Sequence, residues 1–407
     1  MGTSVGAAQV APGSVELDGW ARRRLTALLT CAMAFSMLQL FLMGALGPRL
    51  VADMGISPAV LGLTTTIGFG TAAVLSPVGG RIVDRIGSRR SLVLLLLVST
   101  AALALIAAAP GIAVLLGAVA LGGVPQALAN PATNKAVLAA VPPARRGAVT
   151  GLKQSGVQWG AFVAGLPLAA LAAGAGWRVA VWTASGAALL AALWAVRSLP
   201  ADAPSSAPPP RASWVPRGMV AWLVVFSLFL GAGIASVNTY LSLYGVQRLG
   251  MDPTVAGALV AVLGVTGIVG RVGWSKAAVP GRAEWLPGWL AWGALGAAVL
   301  LAAAQSAGPL VWLGAVAVGV FAVSGNAVSM VLVMQRAKPG RAGRDSSLVA
   351  AGFFAGFAIG PPLFGLFAEH GRYGAGWLLV AAEFAVGGAV AFLWARQDRQ
   401  DRKGNSA

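Results

Sequence analysis

The chain has 407 residues, of which 57% are hydrophobic and 10% charged, with a mean hydropathy of +0.79 and a formal net charge of +17. A soluble globular domain carries roughly 25% charged residues, so the composition excludes one and points to a polytopic membrane protein. A single cysteine, Cys31, and a single histidine, His370, exclude a disulfide framework, a thiolate cluster and a multi-histidine metal site, and no metal or cofactor is expected.

In chain order, residues 1–24 read as a cytoplasmic N-terminal tail, of which 1–19 are small, polar and disordered, without the basic start and apolar core of a signal peptide. Apolar runs then predict membrane helices at 25–48, 57–79, 91–109, 112–140, 148–173 and 178–197. After a break, six more are predicted at 218–243, 254–275, 285–304, 309–336, 346–368 and 377–396. Twelve spans of ~20–25 residues fit the length, and the fold class is all-α. The break at 198–217 is rich in Pro, Ser and Ala, with no apolar period, and reads as a linker between two six-helix halves. Residues 397–407 form a second tail.

Polar residues inside these spans are costly unless they face a partner helix or water. Span one offers Ser36 and Gln39. In span four, Gln126, Asn130 and Asn134 recur every fourth residue and form one stripe, joined by Thr133. The stripe reads either as a solute surface or as interhelical glue, and Pro125 and Pro131 are expected to loosen the helix around it. Span five sets Gln154 and Gln158 on one face and Gly156 and Gly160 on another. Lys135 and Lys153 are the basic residues placed inside spans; they read as partners for an anionic solute or as side chains snorkelling to the headgroups. Span seven brings Ser236, Asn238, Tyr240 and Tyr244, and span ten Asn326. Gly352, Gly356 and Gly360 give span eleven a close-packing face. Glu383, in span twelve, is the one acidic residue well inside a span and so the candidate proton carrier.

Placing alternate loops on one side puts 23 of the 29 Lys and Arg there, against four (Arg49, Arg178, Arg248 and Arg372) on the other. That asymmetry predicts cytoplasmic termini. The excess charge is thereby assigned to the membrane surface, not to nucleic acid.

Between spans two and three lies Gly80-Arg81-Ile82-Val83-Asp84-Arg85-Ile86-Gly87-Ser88-Arg89-Arg90. The pattern G-x-x-x-D-R-x-G-x-R-R resembles the loop between helices 2 and 3 of major facilitator superfamily transporters. The halves also look like repeats. Asn130 is followed by Pro142-Pro143-Ala144-Arg145-Arg146-Gly147, and Asn326 by Lys338-Pro339-Gly340-Arg341-Ala342-Gly343. Gly174-Ala175-Gly176-Trp177 is matched by Gly374-Ala375-Gly376-Trp377, and Gly270-Arg271 survives from a second copy of the loop motif. Asn130 to Lys135 and Gly151 to Val157 are loosely similar to the cyanate and nitrate group.

The resemblance implies a twelve-helix secondary transporter of the plasma membrane, working by alternating access, as a monomer, on a small solute. Its halves would be 25–197 and 218–396, with spans one, four, seven and ten around the cavity. The solute set is then Gln39, Gln126, Asn130, Asn134, Lys135, Lys153, Gln154, Gln158, Asn238, Tyr240 and Asn326, and the lysines make that solute an anion. Gly80, Asp84, Arg85, Gly87, Arg89 and Arg90 would gate, with Asp84 meeting the start of span eleven near Arg341, Arg344 and Asp345. Efflux of a drug or metabolite, and a membrane sensor that does not transport, are the alternatives.

Overall fold

A computed structural model describes residues 19–199, 215–279, 283–336 and 342–404; most of the 198–217 linker lies outside them. Among these residues twelve helices are long and apolar enough to cross a membrane. They are α1 (Gly19–Ala45), α2 (Pro58–Ser76), α3 (Ser88–Ala108), α4 (Ile112–Ala140), α5 (Ala148–Ala175) and α6 (Trp177–Ser198). The second six are α7 (Met219–Leu249), α8 (Pro253–Ala277), α9 (Leu286–Ala303), α10 (Leu310–Arg336), α11 (Asp345–Glu369) and α12 (Tyr373–Gln400). No strand occurs among the described residues. Hydrocarbon offers no water to bond a bare amide, so each span closes its own backbone as a helix.

Local chemistry sets the ends. Ser57 accepts the amide of Val60 at the start of α2, and Pro58 follows it at a position where a missing N–H costs nothing. Asp252 does the same for α8, accepting from Thr254 at 2.7 Å, and that backbone donor holds its carboxyl below the usual range. Three boundaries differ from the sequence reading. α1 begins at Gly19 and breaks at Leu46, before a short helix Gly47–Met54 led by Pro48. The helix of α2 runs on to Ile86, so Gly80, Asp84 and Arg85 occupy its last turns; only Gly87, at φ 89°, breaks the chain. α4 passes unbroken through Pro125 and Pro131. The Ala127 carbonyl, which Pro131 cannot bond, lies where a Cβ on Gly79 of α2 would meet it.

Within the first half α1 packs on α5, and α3 on α4 and α6; within the second α7 packs on α11 and α12, and α9 on α12. Glycines set the closest seams. A Cβ on Gly352, Gly356 or Gly360 would strike backbone of α7, and one on Gly156 would strike the Thr30 carbonyl of α1. Close backbone approach replaces the hydrophobic driving force that lipid does not supply. The repeat survives in three dimensions: Trp177 and Trp377 are both buried where α6 and α12 begin.

The halves meet through α2–α11, α5–α8 and α1–α7. At the end of the bundle opposite the termini they are sealed. Thr65 and Thr239 share a 2.9 Å hydrogen bond, Tyr240 Oη donates to the Pro58 carbonyl at 2.8 Å, and Gly44 lies against the Asn238 carbonyl. Arg49 bridges the Ala169 carbonyl and Thr254 there. Nearer the middle Phe69 packs on Phe357 at 4.5 Å between ring centres.

Gly356→Val is expected to destabilise the protein by about 1–3 kcal/mol or more, because backbone and not a movable side chain blocks the new atoms. Gly296→Val, where a Cβ meets nothing, is expected to be near neutral. Thermal unfolding of the two purified variants compares them directly.

Candidate functional site

The polar stripe of α4 meets α5 along one seam. Lys153 Nζ donates to Thr133 Oγ1 and Asn134 Oδ1, both at 2.6 Å, and Gln154 Nε2 donates to Asn130 Oδ1 at 2.8 Å. The spacing explains the fit. Asn130 and Asn134 are one helical turn apart, so consecutive residues of α5 reach both. Lys153 is fully buried, whereas Asn134 is exposed. Among the described residues no carboxylate pairs with Lys153. Snorkelling to the headgroups is therefore not its conformation.

A second cation stands across the boundary between the halves. Arg271 of α8 donates through Nη1 to the Gln154 carbonyl at 3.3 Å, while its buried Nε has no partner. No described carboxylate pairs with it either. Counting Arg271 as a loop charge missed this residue, although the span predicted at 254–275 already contained it. Gly270 is the signal: a Cβ there would collide with Val320 and Ser324 of α10, so this turn is packed within the bundle. α8 is held close on both sides, by π-helical turns at Ala164–Leu168 of α5 and Val318–Ala322 of α10. Gly165 and Gly319, one in each turn, lie against its backbone.

Several side-chain amides inside the bundle have unmet bonds. Both polar atoms of Gln126 are buried without a partner, as are Gln158 Oε1 and Asn326 Oδ1. Gln158 lies against Gly264 and Gly267 of α8, on the boundary between the halves. Buried amides normally find partners, so this group suits a ligand.

Other expected site residues are placed elsewhere. Gln39 lies inside the first half, donating to the Val119 carbonyl of α4 at 3.2 Å and filling the space above Gly122. Tyr240 and Asn238 belong to the seal; the tyrosine is fully buried and stacks on Phe364 at 4.6 Å. Lys135 is turned away from Lys153. Its Nζ donates to the carbonyls of Val83 and Asp84, each at 3.1 Å, and lies 3.6 Å from Asp84 Oδ1. A cation at a helix C-terminus answers the dipole there, and Lys135 is bonded to the end of the α2 helix rather than to the Lys153 cluster.

In that segment Arg89 donates to the Val196 carbonyl at 2.7 Å, and Arg85 and Arg90 are exposed. The expected partner Arg341 lies outside the described residues, and what the structure shows for Asp84 is the contact with Lys135. Glu383 is buried with Oε2 unbonded, on a helix that packs against α7, α9 and α11 and not against the first half.

Comparison with known proteins follows this geometry. The family model described as Major Facilitator Superfamily matches residues 28–286 and 281–407. The fold is similar to a bacterial homolog of the human lysosomal transporter Spinster in its inward-facing and occupied conformation. The TM-score is 0.74 at 17% identity, over 94% of this chain and 98% of that one. The inward-facing and unoccupied conformation matches at 0.74 and 16% identity, over 95% and 99%. The human organic anion transporter MFSD10 (TETRAN) matches at 0.70 and 17% identity, over 91% and 99%. No curated protein matches in sequence.

Gln126→Leu is expected to raise thermal stability, since a buried unpaired amide costs about 1–3 kcal/mol, and to lower transport. A variant that lost stability would show that the amide serves the fold.

Proposed function

Because this chain belongs to the Major Facilitator Superfamily, a family of membrane transporters, we propose that it moves a small anionic solute across the plasma membrane by alternating access. One observation carries the choice of an anion: Lys153 and Arg271, one from each half, are intramembrane cations with no described carboxylate partner. A buried ion without a counter-charge is costly, and an anionic solute between the halves relieves both at once. Gln126, Gln158, Asn130 and Asn326 supply neutral hydrogen bonds that orient it. A neutral or cationic substrate would leave the two charges as they are.

In this reading the termini and the 198–217 linker are cytoplasmic, as the charge asymmetry favours, 25–197 and 218–396 are the moving halves, and one chain is the working unit. The sealed end then faces outward, and the conformation faces inward. In the cycle, an anion gathered by both cations closes the two halves on the cytoplasmic side, and the Thr65–Thr239 and Tyr240–Pro58 bonds part. Asp84, released from Lys135, reaches the start of α11. Glu383 stands away from this boundary, so coupling runs through the solute's own proton or through exchange.

Transport by Lys153→Gln and Arg271→Gln should show affinity for the anion reduced by roughly ten- to hundredfold, about 1.5–3 kcal/mol for a hydrogen bond to a charged group. Normal transport in both variants would refute the anion reading. Uptake driven by an imposed pH gradient is expected to survive Glu383→Gln; its loss would restore that carboxylate as the proton carrier.

A further inference from the structure

A groove of about 780 Å³ runs between α1 and α5, away from the solute boundary. Its walls are apolar: Cys31, Phe35 and Leu38 on α1, Leu152, Trp159 and Val163 on α5. Two threonines on its floor contribute no free donor, since Thr26 donates to the Arg22 carbonyl and Thr30 to the Thr26 carbonyl, both at 2.8 Å. Leu152 is 57% exposed and Trp159 48%, so the groove opens sideways, towards lipid.

At the terminal end this apolar wall gives way to Arg22 and Arg23. No described carboxylate pairs with either. Their neighbour Arg24 is engaged, lying over the Trp20 ring at 4.4 Å and bonding Ser198. From Arg22 to Leu38 the groove extends about 24 Å at 1.5 Å per residue. Half a bilayer of ~40–45 Å, headgroups included, has nearly the same depth. An apolar slot one leaflet deep, with two arginines at headgroup level that pair with no described carboxylate, fits an amphiphile whose charge is negative.

We propose that this groove binds an anionic phospholipid of the leaflet on the terminal side, its phosphate held by Arg22 and Arg23 and an acyl chain lying along Phe35 and Trp159. Basic pockets between helices on the cytoplasmic side recognise such headgroups.

Cys31, the only cysteine in the chain, lines the groove and reports on its occupancy. The full-length protein is placed in nanodiscs of phosphatidylcholine with and without phosphatidylglycerol, and the rate of Cys31 alkylation by a membrane-permeant maleimide is measured. Phosphatidylglycerol is expected to slow it roughly tenfold when present at ten times its dissociation constant. The Arg22→Gln, Arg23→Gln double variant should lose the protection and Arg24→Gln should keep it. Equal rates in the two lipids, or protection that persists in the double variant, would overturn the site. Native mass spectrometry of the unaltered protein gives a check free of mutation. Retention of phosphatidylglycerol over phosphatidylcholine is expected, and no preference would overturn it.

Discussion

The ammonium of Lys153, held inside the membrane by Thr133 and Asn134, is the interaction on which the proposed function depends. Neutral acceptors orient a cation without cancelling its charge. The hydrocarbon core supplies no counter-ion, and the ion pairs found among the described residues, Asp84 with Lys135 and Glu284 and Asp398 with Arg336, do not include Lys153. Under the proposed function, the charge kept there is what would favour an anion over a neutral solute. Arg271, on the other half, reaches across the boundary to the Gln154 carbonyl.

The same economy appears in how the two halves are joined. Inside each half, glycine seams bring backbones into contact and make rigid bodies, as Gly356 does against α7. Between the halves, the sealed end is closed by neutral hydrogen bonds and by Arg49 on a carbonyl and a hydroxyl, without an ion pair among the described residues. Each neutral bond contributes roughly 0.5–1.5 kcal/mol. A seal of this kind can open within a transport cycle, whereas the seams that define each half stay closed. The Arg336–Asp398 pair at 2.7 Å lies wholly within the second half and is not broken by such a motion.

Much of this was legible in the sequence because a bilayer leaves few choices. Long apolar runs must be helices, and all twelve lie where hydropathy placed them. Asn130, Asn134, Lys153 and Gln154 converged because a fourfold spacing on one helix necessarily faces a neighbour. What sequence could not convey was direction. Lys135 and Lys153 look alike along the chain, yet one turns to the end of α2 and the other into the bundle. Arg271 was hidden by a count that treated the end of a span as water. Tyr240, placed in the expected solute set, bonds the Pro58 carbonyl across the halves because Gly62 and Gly365 leave room for its hydroxyl between α2 and α11.

The most direct test is thermal unfolding of the purified protein against matched anionic, neutral and cationic small solutes. One class of anion should raise the midpoint in a concentration-dependent way, as binding to the folded state alone requires, and the shift should vanish in Lys153→Met. Stabilisation by neutral or cationic solutes only, or an unchanged anion shift in that variant, would contradict an anion site built on the intramembrane cations.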